Sequence, residues 1–116
     1  GAVVAEACAH DDEDARPAVT DWCLLARAGD AALLRLSPVT GRMHQIRIHL
    51  ATIGLVLAGE TRHGTGAPAP RLMLHARAIA GPHPDGGRFS CCAVPPPDFV
   101  KQAEVRGLAA GLKDAY

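Results

Sequence analysis

Residues 38–50 read Pro-Val-Thr-Gly-Arg-Met-His-Gln-Ile-Arg-Ile-His-Leu, and this stretch decides the fold. Pro38 cannot donate to a β ladder and Gly41 permits a sharp change of direction, so a strand is predicted to end here. A helix is expected over about residues 43–53, stopped by Gly54. It mixes arginines, histidines and a glutamine with aliphatic residues, and such polar groups are costly to bury without partners. The stretch therefore predicts a polar site built into a core.

On a helical wheel, four apolar side chains of this segment form one stripe: Met43, Ile46, Leu50 and Ile53. Arg47 borders one edge of the stripe and His49 borders the other. Because an unpaired charge beside a core is expensive, Arg47 is expected to need a carboxylate or phosphate partner. A structural salt bridge within the fold is the alternative role for Arg47, and the residues alone leave both open.

Strands are predicted on both sides of this helix. Residues 18–28 and 31–36 carry β-branched, aromatic and aliphatic residues, and Gly29-Asp30 between them predicts a hairpin turn. Two further strands are predicted at residues 71–79 and 88–94, separated by a turn rich in Gly and Pro.

The remaining segments are predicted to be loops and one closing helix. Residues 1–16 turn acidic at Asp11-Asp12-Glu13-Asp14 and are expected to be an acidic loop or a partly disordered lead-in to a domain at 17–116. Residues 54–70 contain many Gly and Pro residues and are predicted to be a flexible surface segment. After three prolines, Asp98 suits the N-cap or first turn of a closing helix.

Composition limits the possible functions. The net charge of zero hides two unequal parts, because residues 1–30 hold seven acids and two bases while residues 31–116 hold ten bases and five acids. A basic, arginine-rich body is compatible with a phosphate-bearing partner, although an ordinary solvated surface explains it equally well. The apolar content of 48% indicates a folded chain, and no apolar run is long enough to span a membrane. Two Phe, one Trp and one Tyr are too few for a base-stacking RNA module.

Metal and redox chemistry are not indicated. The four cysteines lack CxxC spacing and are interpreted as small apolar residues in a reducing compartment, either the cytoplasm or a mitochondrial lumen, and not in a secreted protein. His44 and His49 lie five residues apart, whereas four would place both imidazoles on one helix face for a metal. No metal site is therefore expected.

Residues 38–50 resemble the TGRTHQIRVH signature of the RluA-type pseudouridine synthases, with Met43 in place of the usual Thr. Further similar segments extend over nearly the whole chain, at Pro17–Leu25, Gly54–Gly59, Leu74–Ala76, His83-Pro84 and Pro95–Phe99. The resemblance implies the C-terminal half of the family's α+β catalytic core. That half has a mixed or antiparallel sheet, a signature helix after the second strand and a C-terminal helix.

The resemblance also implies an activity and a set of site residues. The family isomerises selected uridines in structured RNA, either rRNA or tRNA, and uses no cofactor. Arg47 is the position that pairs with the nucleophilic aspartate. A second group is implied to line the pocket or the RNA approach: Thr40, Gly41, Arg42, His44, Gln45, Ile46 and His75. His75 is also interpreted as a satisfied core histidine, and the usual Gly-Asp and Tyr are replaced by Gly59-Glu60 and His63.

The HRLDxxTSG motif that carries the family's nucleophile is absent from these 116 residues, so the chain alone is expected to be inactive. Three hypotheses follow. The chain is the C-terminal portion of an active enzyme, a non-catalytic RNA-binding or ribosome-associated protein, or one half of a split enzyme whose partner chain donates the aspartate. Half of a sheet is also expected to expose an edge and apolar surface.

Overall fold

The computed structural model describes residues 2–10, 20–38 and 44–115. In chain order, these residues form β1 (Ala2–His10), β2 (Thr20–Ala28), β3 (Ala31–Pro38), α1 (Gln45–Thr52), β4 (Leu74–Pro82), β5 (Arg88–Cys92), α2 (Pro97–Val105) and α3 (Ala109–Ala115). The strands make one mixed sheet in the order β2-β3-β1-β4-β5. The predicted α+β class with a mixed sheet is confirmed.

Strand β1 is the centre of the sheet and runs parallel to both of its neighbours, β3 and β4. The prediction of a loop at the start of the chain is therefore wrong for residues 2–10, while residues 11–16 lie outside the described residues. Val3, Val4 and Ala5 are all buried. A short continuous apolar run of this kind is typical of a parallel strand covered on both faces. Because β1 precedes the first hairpin, the signature helix follows the third of the described strands.

The hairpin predicted around Gly29-Asp30 is confirmed. Strands β2 and β3 pair antiparallel with Ala28 opposite Ala31. Gly29 has φ 57°, a left-handed conformation that glycine adopts without a steric penalty. The second hairpin joins β4 and β5 and also pairs antiparallel.

Helices cover both faces of the sheet. Neighbouring residues of its inner strands point to opposite sides, so each face carries its own apolar cluster. On one face, Val4 and Leu33 pack with Phe99 of α2 and Leu108. On the other face, a second cluster packs beneath α1: Val3, Ala5, Leu34, Leu36, Ile46, Leu50 and Leu57. Helix α1 therefore lies against the sheet on the face opposite α2 and α3.

The segment after α1 is packed into the fold, so the prediction of a flexible surface loop is wrong for residues 57–60. Ala58 donates its backbone N–H to the Val3 carbonyl at 2.7 Å and accepts from the Met73 N–H at 2.9 Å. A Cβ on Gly59 would lie 2.0 Å from the Arg71 carbonyl oxygen. The close backbone approach fixes this segment against β1 and the start of β4.

The closing helical region consists of two short helices in place of the single one predicted. Pro97 stands in the first turn of α2, where its missing N–H has no cost, and Asp98 follows it as the predicted first-turn acid. Gly107 with φ 77° ends α2, and the Leu108 N–H returns to the Ala103 carbonyl at 2.7 Å. This left-handed ending turns the chain into α3.

Two features are absent from the described residues. None of their helices has the length and apolar character needed to cross a bilayer. Their His, Cys, Asp and Glu side chains form no group of three or more that could hold a metal ion. Cys23, Cys91 and Cys92 are exposed free thiols, so these three do not pack in the core as small apolar residues.

A candidate active site at the start of the first helix

Arg47 of α1 forms a bidentate ion pair with Glu60. Its Nε donates to Oε2 and its Nη2 donates to Oε1, each at 2.7 Å. The Arg47 side chain is 20% exposed and the Glu60 side chain is 1% exposed. The expectation that Arg47 needs an anionic partner is therefore met inside this chain by a carboxylate. Pairing of Arg47 with a nucleophilic aspartate stays a prediction.

The Glu60 carboxylate is held from its own loop as well as from the helix. The backbone N–H groups of Arg62 and His63 donate to Oε1 at 3.1 and 3.0 Å. The hydrogen bond from Arg47, together with these backbone donors, lowers the pKa of Glu60 to about 2 against the opposing effect of burial. Glu60 is therefore a permanent anion at neutral pH, and its charge compensates that of Arg47.

A second contact joins the same helix start to the same loop. His44 precedes α1 in a left-handed conformation with φ 51°, which is uncommon for a residue other than glycine. Its Nδ1 lies 3.0 Å from Nε2 of His63, and the two rings meet edge to face. Burial, followed by the positive charge of Arg47, lowers the pKa of His44. In this contact one ring nitrogen donates and the other accepts, and the tautomers of the two rings decide which.

The other side of α1 is anchored to strand β2 by Thr20. The Thr20 hydroxyl accepts a hydrogen bond from the buried Gln45 Nε2 at 2.9 Å and lies 2.8 Å from His49 Nδ1. Both polar side chains are therefore satisfied by one residue of the sheet. The prediction that Arg47 and His49 border the core is confirmed, because both are half-buried on α1.

The apolar stripe is shorter than predicted. Ile46 and Leu50 are buried beneath α1, but Ile53 follows the last helical residue and is 60% exposed. Ile53, Trp22 and His49 line a groove of about 280 Å³ between the helix end and β2. Trp22 and Leu24 are themselves 59% and 51% exposed. The sheet edge therefore presents the apolar surface that was expected.

Not all implied pocket residues come together. His44, Gln45, Ile46 and Arg47 share the first turns of α1. His75 lies in β4, where its Nε2 is 3.1 Å from the Ala93 carbonyl and its ring packs against Phe99 of α2. That environment is the satisfied core position that the sequence also suggested. Thr40, Gly41 and Arg42 lie outside the described residues.

Two residues of the site escaped sequence reasoning. Glu60 was noted only as a departure from Gly-Asp, and Thr20 only as part of a similar strand. Both pair with α1 across many residues of chain, which no local periodicity reports. The available signal was chemical, since Arg47 and Gln45 each required a partner. The resulting arrangement holds a guanidinium at a fixed place beside two imidazoles and can bind an anion there.

Comparison with known proteins shows which proteins this chain is similar to. A family model described as RNA pseudouridylate synthase matches residues 3–52, which include most of β1, the first hairpin and α1. Ribosomal large subunit pseudouridine synthase C of Escherichia coli O157:H7 is 34% identical over 100 residues, covering 78% of this chain and 31% of that protein. The dual-specificity RNA pseudouridine synthase RluA of Escherichia coli K12 is 36% identical over 91 residues, covering 75% and 41%.

A third relative extends the comparison to another organism. Ribosomal large subunit pseudouridine synthase D of Nitrosomonas europaea is 35% identical over 96 residues, covering 74% of this chain and 28% of that protein. The chain therefore spans well under half the length of the curated relatives it matches. No solved structure matches the chain with significance.

Proposed function

Because the chain belongs to the RluA-type family of RNA pseudouridine synthases, we propose that it forms the arginine-bearing part of an active site that isomerises uridine to pseudouridine in structured RNA. In that reaction the bond from ribose C1′ to uracil N1 breaks and a bond from C1′ to uracil C5 forms. The hydrogen at C5 leaves as a proton, and N1 gains one. Atoms and charge balance without a cofactor.

One observation carries this proposal. Arg47 on α1 is fixed by two hydrogen bonds of 2.7 Å to a buried carboxylate. A pre-oriented guanidinium binds a second carboxylate or a phosphate at a lower entropic cost than a mobile one. A nucleophilic aspartate beside Arg47 would be kept ionised by that charge and ready to attack the target nucleoside.

The aspartate itself is proposed to come from a segment carrying HRLDxxTSG, in the same polypeptide or in a partner chain. Trp22 and Leu24 on β2 support such an arrangement, because they leave a large apolar surface exposed at the sheet edge. Packing of a further segment against this surface would bury them. The exposed thiols Cys23, Cys91 and Cys92 support a reducing compartment for the protein.

The test is release of tritium from structured rRNA or tRNA labelled at uridine C5. The chain is assayed alone, with an added segment carrying HRLDxxTSG, and as the complete polypeptide encoded by its gene. Isomerisation that requires both parts, and that is lost in Arg47→Met, supports the proposal. Absence of tritium release from every combination, including the complete polypeptide, refutes it.

A second candidate function is non-catalytic RNA binding, including association with a ribosomal particle. The observation in its favour is that Glu60 already neutralises Arg47, so the fold needs no second carboxylate. Filter binding of structured RNA to the chain at two salt concentrations tests it. Affinity that falls steeply with salt, without tritium release, favours this function, whereas no salt-dependent binding counts against it.

A further inference from the structure

Among the carboxylates of the described residues, that of Glu60 accepts the most hydrogen bonds. Its donors lie on two parts of the chain. Arg47 contributes Nε and Nη2 from the helix, while Arg62 and His63 contribute backbone N–H groups from the loop. A carboxylate that accepts four hydrogen bonds cannot rotate without breaking several of them. Its orientation is therefore set by the backbone of the loop and not by the arginine alone.

The loop that carries Glu60 is itself fixed to the sheet. The Glu60 N–H donates to the Leu57 carbonyl and its carbonyl accepts from the Gly66 N–H, both at 3.0 Å. A Cβ on Gly66 would lie 1.9 Å from the Leu57 oxygen, so the two backbones touch. Leu57 is buried and bridges Val3 of the central strand. A continuous set of backbone contacts thus connects the carboxylate to the middle of the fold.

The pair leaves part of Arg47 available. The hydrogen bonds to Glu60 use the side-on edge of the guanidinium, formed by Nε and Nη2. The end-on edge is formed by one hydrogen of Nη1 and the second hydrogen of Nη2, and neither of these hydrogens donates to any of the described residues. One fifth of the Arg47 side chain is exposed, so the side chain is not sealed off from an incoming anion. Guanidinium groups accommodate two carboxylates in this way because their five N–H donors form two separate forks.

We propose that Glu60 is a positioning residue for isomerisation: it fixes the side-on edge of Arg47 so that the end-on edge receives the nucleophilic aspartate. This role rests on the proposed function. Glu60 acts only through Arg47 and is not itself a catalytic residue. Because small displacements of a positioned group cost up to about a hundredfold in rate, loss of Glu60 is expected to lower kcat and leave KM nearly unchanged.

The test compares three variants of the active form of the protein, whether complete polypeptide or reconstituted complex, in the tritium-release assay. Glu60→Gln removes the charge but keeps the shape, and Glu60→Asp keeps the charge on a shorter stem. Asp98→Asn is the matched control, because Asp98 forms the same bidentate pair with Arg71 on the exposed side of α2. Tm is measured for each variant alongside kcat and KM.

The expected result is a kcat lowered by about ten- to a hundredfold in Glu60→Gln, with KM changed by less than about threefold. Glu60→Asp is expected to restore most of kcat although its Tm stays below that of the wild type. Asp98→Asn is expected to keep wild-type kcat. If Glu60 had only a structural role, the loss of kcat would follow the loss of Tm in the same way in both Glu60 variants.

The outcomes separate this role from the proposed function. An active wild type whose Glu60→Gln variant retains kcat refutes the positioning role and leaves the proposed function intact. A kcat that falls in proportion to the folded fraction, with no rescue by Glu60→Asp, also refutes the role. A wild type that releases no tritium in any combination refutes both.

Discussion

Glu60 binds Arg47 through two parallel hydrogen bonds, and the carboxylate is far more deeply buried than the guanidinium it holds. The pair joins the signature helix to a loop that is itself bonded to the central strand. Its consequences for stability can be measured independently of any activity.

Replacing Glu60 with Gln is expected to destabilise the fold by about 3 kcal/mol, because a half-buried Arg47 loses its compensating charge. Urea denaturation followed by circular dichroism measures this change. Asp98→Asn removes an exposed pair whose charges are screened by solvent, and it is expected to cost much less stability than Glu60→Gln. Equal losses in the two variants would contradict the importance assigned to burial.

The pH dependence of stability is expected to report the same carboxylate. The pKa of Glu60 falls from 4.5 to about 2 on folding, so its contribution is complete above pH 4.5 and is lost as the pH falls towards 2. The lost contribution amounts to about 3 kcal/mol. Arg71 also lowers the pKa of Asp98, so the measurement is made in the Asp98→Asn background. There, Glu60→Gln should flatten the acid limb of the stability curve, and an unchanged limb would disprove the assignment.

Two glycines with similar backbone angles but different surroundings provide a third test. Gly59 has φ 86° and no room for a Cβ, whereas Gly86 has φ 97° and open space. Substitution by Ala strains the backbone at both positions and costs about 1 kcal/mol at Gly86. At Gly59 the clash with the Arg71 carbonyl is expected to add about 2 kcal/mol or more. Thermal denaturation of the two variants should therefore differ, and matching Tm values would argue against the packed loop.

The hydroxyl of Thr20 is expected to matter more than an exposed hydroxyl on the helix. Thr20→Val removes the acceptor of the buried Gln45 amide and should cost about 1 to 2 kcal/mol. Thr52→Val removes only an exposed bond to the Ile48 carbonyl and should change stability by less than about 0.5 kcal/mol. Urea denaturation of both variants tests this prediction. Comparable midpoints would show that the Thr20 hydroxyl does not anchor α1.

Local chemistry was enough to predict the elements around the site. Gly29-Asp30 predicted a turn between two alternating strands, and the structure places a left-handed glycine there. Pro38 and Gly54 predicted the limits of a segment whose helix spans Gln45–Thr52. In each case a residue with a restricted or permissive backbone determines the structure of its immediate neighbours.

Long-range relationships could not be predicted in this way. The run Val3-Val4-Ala5 is too short for periodicity to distinguish a buried strand from a loop, and the acidic residues after it favoured the loop. The partner of Arg47 was predicted by type, as a carboxylate or phosphate, but its identity depends on how the Gly59-Glu60 segment packs. Burial of that segment arises from tertiary backbone contacts that no spacing of residues encodes.

The central position of β1 has a consequence for the order in which the chain assembles. Its Ala2 pairs with Ala31 and its Ala5 with Leu74, whereas each hairpin closes over a few residues. During synthesis both hairpins can therefore form locally, but β1 must wait for β4 before its second edge is covered. We therefore expect insertion of β1 between the two hairpins to be slower than closure of either hairpin, because it joins segments that are distant along the chain. Until it occurs, a strand with unpaired edges is open to capture by another nascent copy.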